Sequence, residues 1–452
     1  MSLSEKSFSL LKRDIFLFIT NLITGVVVAR KLGPDTMGFW IILQMIPTYA
    51  ETFGRMKFDI AAVYYLGRNK YTIGDMVFSL NMLAIITSSI IIAPFIWKFD
   101  WFYNLLFSNS VTSVSSLIYI MLAQVPLLFL YMNYSYLFIY REDVKRYNMM
   151  VVIKALLSST IAISLLVFFN AGLFAVVFSS VFSTFSGLLY GIIKFGRIEK
   201  KGPLLNFPII KDLIAYGSKL YLAGIISSLN AYVTNLIVVF YLLPAQVAFF
   251  NMAQNKGILL NKVPDAMSTI LFPRVSKMDD NNLSAQLVAK AFRIILLILS
   301  VVGLLALIFI KPLVYILYGR VYLPMVFPFW ILLPGLVLSG AAGVLNQYFT
   351  GIGRADLTAK IPILPFLLQV IIAILIIPVL GLSGAAIAFL ISVLCLSALQ
   401  IIVFLNISSC TLRSDLMIRK EDVQMVKDFI IAHIMRLKIS ALRNLLTEGK
   451  GG

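Results

Sequence analysis

The chain has 452 residues, 60% of them hydrophobic and 13% charged, whereas a soluble globular chain runs about 45–50% apolar and about 25% charged. With a mean hydropathy of +0.95, this excludes an ordinary soluble enzyme and points to an all-α polytopic membrane protein. Lysine and arginine number 38 against 20 acidic residues, a net +18; in a membrane protein such an excess belongs to cytoplasmic loops and anionic ligands, and no nucleic acid is needed to explain it.

Two cysteines, Cys395 and Cys410, and the lone His433 are too few for a disulfide framework or a ligand cluster, so no metal site and no cofactor is expected.

Crossing the hydrocarbon takes about 20 apolar residues per helix. Twelve such segments start near Ile15, Met37, Ile73, Ser113, Met149, Gly172, Leu213, Ala245, Ala289, Met325, Ile361 and Leu382. The first follows Lys12 and Arg13 but has no small-x-small cleavage site, so it reads as a membrane helix and not a signal peptide. Pro94, Pro126, Pro334 and Pro365 fall inside apolar runs and predict kinks. A polar stretch, Phe195 to Lys211, divides the segments six and six. The expected organisation is an N-terminal six-helix lobe (1–195), a cytoplasmic linker (196–212), a C-terminal six-helix lobe (213–406) and a basic amphipathic cytoplasmic tail (407–452).

With the N-terminus inside, Arg55, Arg68, Lys70, Arg141, Lys145, Arg146, Lys200, Lys201, Arg274 and Arg354 fall on the inner side. The outer side holds only Arg30, Lys31, Lys98, Lys311 and Arg320. This bias predicts a multi-pass protein of the cytoplasmic (inner) membrane with both termini cytoplasmic.

The halves repeat. Leu32, Pro34, Phe39 and Gln44 recur as Leu242, Pro244, Phe249 and Gln254 at an offset of 210, and Gly172-Leu173 echoes in Gly381-Leu382. An even number of helices per half makes the repeats parallel, one of the two symmetry classes of secondary transporters, which predicts two parallel six-helix repeats and a two-lobed rocking transporter.

Projected at 100° per residue, Gln44, Thr48, Glu51, Thr52 and Arg55 share one arc of the second segment. Asn251, Gln254, Asn255, Asn261, Lys262, Asp265 and Thr269 share one on the eighth, with Gln44/Gln254, Glu51/Asn261 and Arg55/Asp265 keeping the repeat offset. Tyr216, Lys219, Ser227, Asn230 and Thr234 align on the seventh, and Arg13, Thr20, Asn21, Thr24 and Lys31 on the first. Ionisable groups at membrane depth mark a water-filled pathway by default, although Arg13, Lys31, Lys154 and Arg55 lie near enough to helix ends to snorkel. A cavity with Arg13, Arg55, Lys219 and Lys262 against Glu51 and Asp265 is net cationic and suits phosphate. Lys256 is a further basic candidate, although it points away from its own arc; Gln44, Asn230, Thr234, Gln254 and Asn261 are the polar lining. Glu51 and Asp265 either pair with Arg55 and Lys262 one turn away or titrate and bind a coupling cation.

The chain resembles the polysaccharide transporter family, the lipid-linked oligosaccharide (O-antigen type) flippases of the multidrug/oligosaccharidyl-lipid/polysaccharide exporter (MOP) superfamily. The residues that carry the resemblance are Ala29-Arg30-Lys31-Leu32-Gly33-Pro34 with Gly38, Leu271-Phe272-Pro273-Arg274 with Ser276, and Lys311-Pro312-Leu313 with Leu317-Tyr318-Gly319. Gly351-Ile352-Gly353-Arg354 and Gly381-Leu382-Ser383-Gly384-Ala385-Ala386 complete the set, in order across nearly the whole membrane portion. The resemblance implies a flippase that moves a polyprenyl-diphosphate-linked oligosaccharide to the outer leaflet by alternating access of two lobes. It implies as partners the lipid-linked oligosaccharide, membrane lipids, a coupling ion (proton or sodium) and polysaccharide polymerase or assembly proteins. Twelve segments depart from the fourteen of the peptidoglycan lipid flippases, which argues against that substrate. An ion-coupled multidrug antiporter of the same fold is the alternative; there embedded carboxylates should dominate, and here basic groups do.

An enzyme reading compares poorly. The outer connections are short, and no nucleophile elbow, P-loop, HExxH or paired acid motif occurs, so no catalytic residue is expected. From Lys420 to Leu446, Val423, Val426, Ile430, Ile434, Leu437 and Leu445 recur at helical spacing among Lys427, Arg436, Lys438 and Arg443. This segment is too charged to span and reads as an interfacial helix, or as one packed under the bundle.

Overall fold

A computed structural model of the chain describes residues 3–107, 114–196, 206–278 and 280–428. These residues form helices α1 (Leu3–Gly54), α2 (Phe58–Gly67), α3 (Ile73–Trp97), α4 (Phe99–Phe107), α5 (Ser115–Tyr140), α6 (Val144–Val167), α7 (Gly172–Gly196) and α8 (Phe207–Tyr241). There follow α9 (Pro244–Ile258), α10 (Lys262–Val275), α11 (Asn281–Tyr318), α12 (Val326–Gly343), α13 (Leu345–Gly351), α14 (Ala355–Lys360) and α15 (Ile363–Ile407).

Nine helical stretches among the described residues are long and apolar enough to cross a membrane. Two of them are pairs: Gly33 (φ 74°, ψ 170°) breaks α1, and Gly381 (φ 56°, ψ −130°) breaks α15. Both angles lie in the positive-φ region that favours glycine. Counted as pairs these give eleven crossings. The twelfth is α9 with α10, whose length suffices but whose lysines, asparagines and aspartate lower its hydropathy. Among the described residues the architecture therefore matches the twelve-segment reading, that of an all-α polytopic membrane protein.

The repeat is legible in the breaks. Gly33-Pro34 interrupts α1 where, 210 residues later, Leu243-Pro244 separates α8 from α9. Gly172, which opens α7, and Gly381 have nearly the same positive φ, 54° and 56°.

Contacts divide the chain into two compact units. The first comprises Met1–Met252 with Leu313–Met325 and Ile376–Leu382; the second comprises Ala253–Pro312, Val326–Leu375 and Ser383–Gly452. In the first, Phe58, Leu66, Met76, Leu80, Leu128, Phe138, Met150 and Leu213 form the core. Leu271, Val275, Val288, Phe292, Leu299, Tyr348 and Phe404 form that of the second. Large apolar side chains such as Ile15, Phe18, Ile90, Phe178, Leu304, Ile308 and Leu375 stay exposed, the pattern of a helix whose outer face meets lipid. On α7, Phe174, Phe178 and Phe182 stack with centroids 5.6 and 5.7 Å apart along such a face.

The second unit also holds the start of the tail. Arg293 of α11, only 7% exposed, donates through Nε to Asp422 Oδ2 at 2.7 Å and through Nη1 to the Asp415 carbonyl at 2.5 Å. Helix 420–428 thus buries Asp422 and leaves Val423 exposed. Burial alone would raise the Asp422 carboxyl, but the Arg293 guanidinium and the Arg419 backbone N–H outweigh it and hold the group below the usual carboxylate range. The remainder of the expected amphipathic tail helix, residues 429–446, lies outside the described residues.

Candidate functional site

The second arm of α1 ends at Gly54, and Met56 and Lys57 take positive φ (49° and 57°) before α2 begins. Two non-glycine residues in the left-handed region cost of order 1–3 kcal/mol each and persist only where neighbours hold them. Arg55 supplies that hold. Its Nη2 donates to Asp59 Oδ2 at 2.7 Å across the break, its Nη1 to Glu51 Oε1 at 3.4 Å, and its guanidinium lies 5.5 Å from the Tyr136 ring centroid. Asp59 is fully buried, and its second oxygen, Oδ1, has no hydrogen-bond partner among the described residues. From the facing helix α8, Gly217 packs on the Met56 carbonyl, where a β-carbon would lie 2.7 Å from the oxygen. Lys70 and the Tyr71 hydroxyl both bind Asp212 Oδ2, at 2.5 and 2.6 Å. The Lys70 hydrogen bond, then that of Tyr71, holds the Asp212 carboxyl below its ordinary range.

Two polar cavities adjoin this break in the first unit. A smaller one of about 200 Å³ is lined by Glu51, Thr52, Arg55, Met56, Lys57, Ser228 and Tyr232. A larger one of about 500 Å³ lies between α1, α5 and α6, with Asn21, Tyr131, Ser135, Tyr136, Tyr147, Lys154 and Ser158 in its wall. Lys154 Nζ sits 4.6 Å from the Tyr131 ring centroid. Arg13 lies 5.1 Å over the Tyr147 ring and donates to Asn148 Oδ1 at 2.9 Å. Glu51 interacts electrostatically with both Arg55 and Lys154, so the carboxylate connects the cationic groups of the two cavities. A cation held over tyrosine faces is partly desolvated and so binds a multivalent anion more strongly than one in bulk water.

The predicted residues are distributed unevenly. Arg55 and Glu51 line the smaller cavity and Lys154 the larger, whereas Arg13, ion-paired to Asp14 at 2.7 Å, lines neither and meets the larger one only through Tyr147. Gln44 and Lys219 are exposed and line neither cavity, Asn230 is half-buried, and Thr234 is fully buried in α8. In the second unit Gln254 is buried, Lys256 and Asn261 are half-buried, and Lys262 and Asp265 are exposed at the start of α10. The single arc drawn through the eighth segment assumes an unbroken helix. Instead a 3-10 turn, Leu259–Asn261, separates α9 from α10 and shifts the phase between Gln254 and Asp265. Gly257 beside that turn lets Leu336 approach to 2.1 Å from where a β-carbon would stand. Asn261 Oδ1 is buried there with no hydrogen-bond partner among the described residues.

Periodicity in the sequence passes over Lys154, Tyr131, Tyr136, Tyr147 and Asp59 as site residues. A signal for four cavity residues exists: Tyr147, Val151, Lys154 and Ser158 follow i, i+4, i+7, i+11 spacing, one face of α6. Asp59 has none beyond its i, i+4 relation to Arg55. Among the described residues no group of three His, Cys, Asp or Glu side chains could hold a metal ion.

The family model described as "Polysaccharide biosynthesis protein" matches residues 27–327, two-thirds of the chain. The chain belongs to the polysaccharide biosynthesis protein family. The match to this family includes Glu51, Arg55, Asp59, Lys154 and the tyrosines around them. No curated relative matches the sequence. The fold is that of the MOP superfamily. It is similar to the lipid II flippase MurJ in an inward closed conformation, at TM-score 0.71 and 16% identity over 94% of this chain and 92% of that one. It is equally similar to an inward-facing multidrug resistance MATE family transporter of the MOP superfamily, at TM-score 0.70 and 17% identity over 86% and 93%. A MOP superfamily transporter from Pyrococcus furiosus, described as having a binding pocket of reverse polarity, matches at TM-score 0.54 and 15% identity over 89% and 94%. In this polysaccharide biosynthesis family member two polar cavities sit in the first unit beside the Arg55–Asp59 break, and another of about 370 Å³ lies in the second unit around Arg293 and Asp422.

Proposed function

We propose that this protein is a flippase, with no enzymatic step, that moves a polyprenyl-diphosphate-linked oligosaccharide from the cytoplasmic to the outer leaflet by alternating access. The observation that carries this reading is that Glu51 links Arg55, at the break after α1, with Lys154 of α6, the two cations set against Tyr136 and Tyr131 and Arg13 lying over Tyr147. Arg55 on the smaller cavity and Lys154 on the larger one offer a diphosphate a fork and a point charge, with Arg13, ion-paired to Asp14, over Tyr147 beside the larger cavity. The family assignment to polysaccharide biosynthesis supports a glycan-bearing substrate. Similarity to MurJ and to a MATE transporter supports the architecture and does not separate a lipid substrate from a drug. The excess of basic residues in alternate loops supports an inner-membrane orientation with both termini cytoplasmic.

In this reading Glu51 competes with the substrate. While ionised it engages Arg55 Nη1 and attracts Lys154; when it takes a proton, Lys154 and that arm of Arg55 become available to the diphosphate, while Asp59 keeps hold of Arg55 Nη2. A proton is thereby the coupling ion. The second unit's Lys262 and Asp265 and the two six-helix lobes enter as the repeat counterparts that would close over the head group, with polysaccharide polymerase or assembly proteins receiving the product.

The test is thermal stabilisation of the purified protein at low salt by a polyprenyl diphosphate, by the corresponding alcohol and by a cationic dye. A ligand that binds only the folded state stabilises it with the logarithm of occupancy. Stabilisation by the diphosphate alone, lost in an Arg13→Ala, Lys154→Ala double variant, is the expected result. Stabilisation by the dye alone would instead favour a multidrug antiporter.

A further inference from the structure

The first unit contains a third cavity, of about 410 Å³, whose wall is apolar apart from one tyrosine hydroxyl. Close-packed interiors leave few voids larger than a water molecule, and small-molecule sites start at about 300 Å³. The one hydroxyl is already used, since Tyr49 OH donates to the Tyr232 carbonyl at 3.3 Å. Phe102 of α4 closes one wall by stacking on Phe95 of α3, centroids 4.2 Å apart.

This chamber adjoins the smaller polar pocket, and both lie between the same two helices. Along α1, Ile42, Met45, Ile46 and Ala50 face the chamber, Tyr49 and Phe53 follow, and Glu51, Thr52 and Arg55 face the polar pocket. Along α8 the same order runs backwards: Leu236, Val239 and Phe240 face the chamber and Ser228 the polar pocket, with Tyr232 between them. Tyr49, Phe53 and Tyr232 form one ring cluster, with centroids 5.2 to 6.4 Å apart, that marks the junction. From Ile42 to Arg55 the helix rises roughly 20 Å.

We propose that this chamber binds the isoprene units nearest the diphosphate of a single-chain polyprenyl ligand, whose diphosphate meets Arg55 at the polar pocket, with Lys57 beside it and Lys154 across Glu51. The inference rests on the proposed function and deepens it. An anionic head beside an apolar slot also describes a phospholipid, but a chamber of about 410 Å³ takes the first units of one chain and is too small for the two long acyl chains of a phospholipid. Branched methyl groups of an isoprenoid suit a wall of aromatic and branched side chains.

The experiment measures equilibrium binding of inorganic diphosphate, geranyl diphosphate, farnesyl diphosphate, farnesol and dioleoyl phosphatidate to the purified full-length protein. Wild type is compared with Ile46→Trp and Val239→Trp, which fill the chamber without touching Arg55 or Lys57. In wild type, affinity is expected to rise by about tenfold or more from inorganic diphosphate to farnesyl diphosphate, because each added apolar group leaves water. The filled variants should keep wild-type affinity for inorganic diphosphate and lose the rise. An equal rise in the filled variants, or none in wild type, overturns the proposal. Phosphatidate binding with the same sensitivity to filling assigns the chamber to membrane lipid and overturns it too. If farnesol binds with that sensitivity while no diphosphate binds better than farnesol, the apolar-chain chamber stands and the diphosphate reading of the proposed function fails. Should the variants fail to fold, a photoreactive diazirine on the first isoprene unit is tested on wild type. Adducts within 42–53 or 236–240 support the chamber, and adducts confined to lipid-facing residues such as Phe174 and Phe178 overturn it.

Discussion

Gly38 in α1 lies against Pro244, the first residue of α9, so closely that a β-carbon on Gly38 would stand 1.9 Å from the Pro244 carbonyl oxygen. Pro244 is the repeat counterpart of Pro34, so the second segment of the first half, one turn after its Gly33-Pro34 start, packs on the residue that starts the second segment of the other half. Because the obstructing atom is backbone, the clash cannot be relieved by a rotamer change. Gly38→Ala is expected to destabilise the protein by about 1–3 kcal/mol or more, the usual penalty for overpacking. Gly25→Ala is the control: its β-carbon would meet nothing within 4 Å, and removing a helical glycine gains about 0.5–1 kcal/mol. Thermal unfolding in detergent should move the two variants in opposite directions.

The Arg293–Asp422 pair holds the start of the tail, with side chains 8% and 3% exposed. Removing one partner of a buried pair costs about 3–5 kcal/mol, so Asp422→Asn should free residues 411–428 without unfolding the helices. Hydrogen exchange of those residues is the readout. The same contact fixes a pH dependence. Because the folded Asp422 carboxyl is held below its unfolded value of about 3.9, its stabilisation is complete above that value and is lost as the pH falls through the folded one. Protection of residues 411–428 should therefore be constant from neutral pH down to about 5 and decline only in more acidic solution.

Lys154 and Lys219 separate the structural account from the helical-wheel one. Lys154 stands in the larger cavity over Tyr131, whereas Lys219 is exposed and lines neither cavity. Lys154→Ala should weaken diphosphate binding by about ten- to a hundredfold, the scale of one charge-assisted contact. Lys219→Ala should leave it within a factor of about two. Titration of both variants with a polyprenyl diphosphate checks the contrast.

Glu51→Gln tests the competition between the carboxylate and the substrate for Arg55 and Lys154. Wild type should bind the diphosphate more tightly as acidification protonates Glu51. The amide copies the protonated carboxyl, so the variant should bind tightly at every pH and lose the dependence, while failing to couple transport to a proton gradient. An unchanged pH profile in the variant would remove Glu51 from the coupling step.

Much of this was legible in the sequence. The number of crossings, the break at Gly33 and its counterpart near Pro244 follow from apolar run length and from two residue types that interrupt a helix for different reasons. The site was only half legible. Glu51 and Arg55 could be read as neighbours because the polar arc of the second segment runs to the last turn of α1 and just past its end at Gly54. Lys154 could not be separated from a snorkelling lysine, because its cavity depends on which neighbouring helices supply Tyr131 and Tyr136. The arc through Gln254, Lys262 and Asp265 misled because a projection at constant pitch cannot anticipate the 3-10 turn at Leu259–Asn261. Asp59 was invisible because its significance comes from the positive φ of Met56 and Lys57, which no hydropathy pattern encodes.

The most direct measurement reconstitutes the protein in liposomes with a fluorescent polyprenyl-diphosphate oligosaccharide and follows its accessibility to a membrane-impermeant quencher. Wild type should equilibrate the lipid between leaflets far faster than protein-free vesicles, and the Arg13→Ala, Lys154→Ala variant should not. No acceleration by wild type, alongside proton-driven transport of a cationic dye, would contradict the flippase assignment.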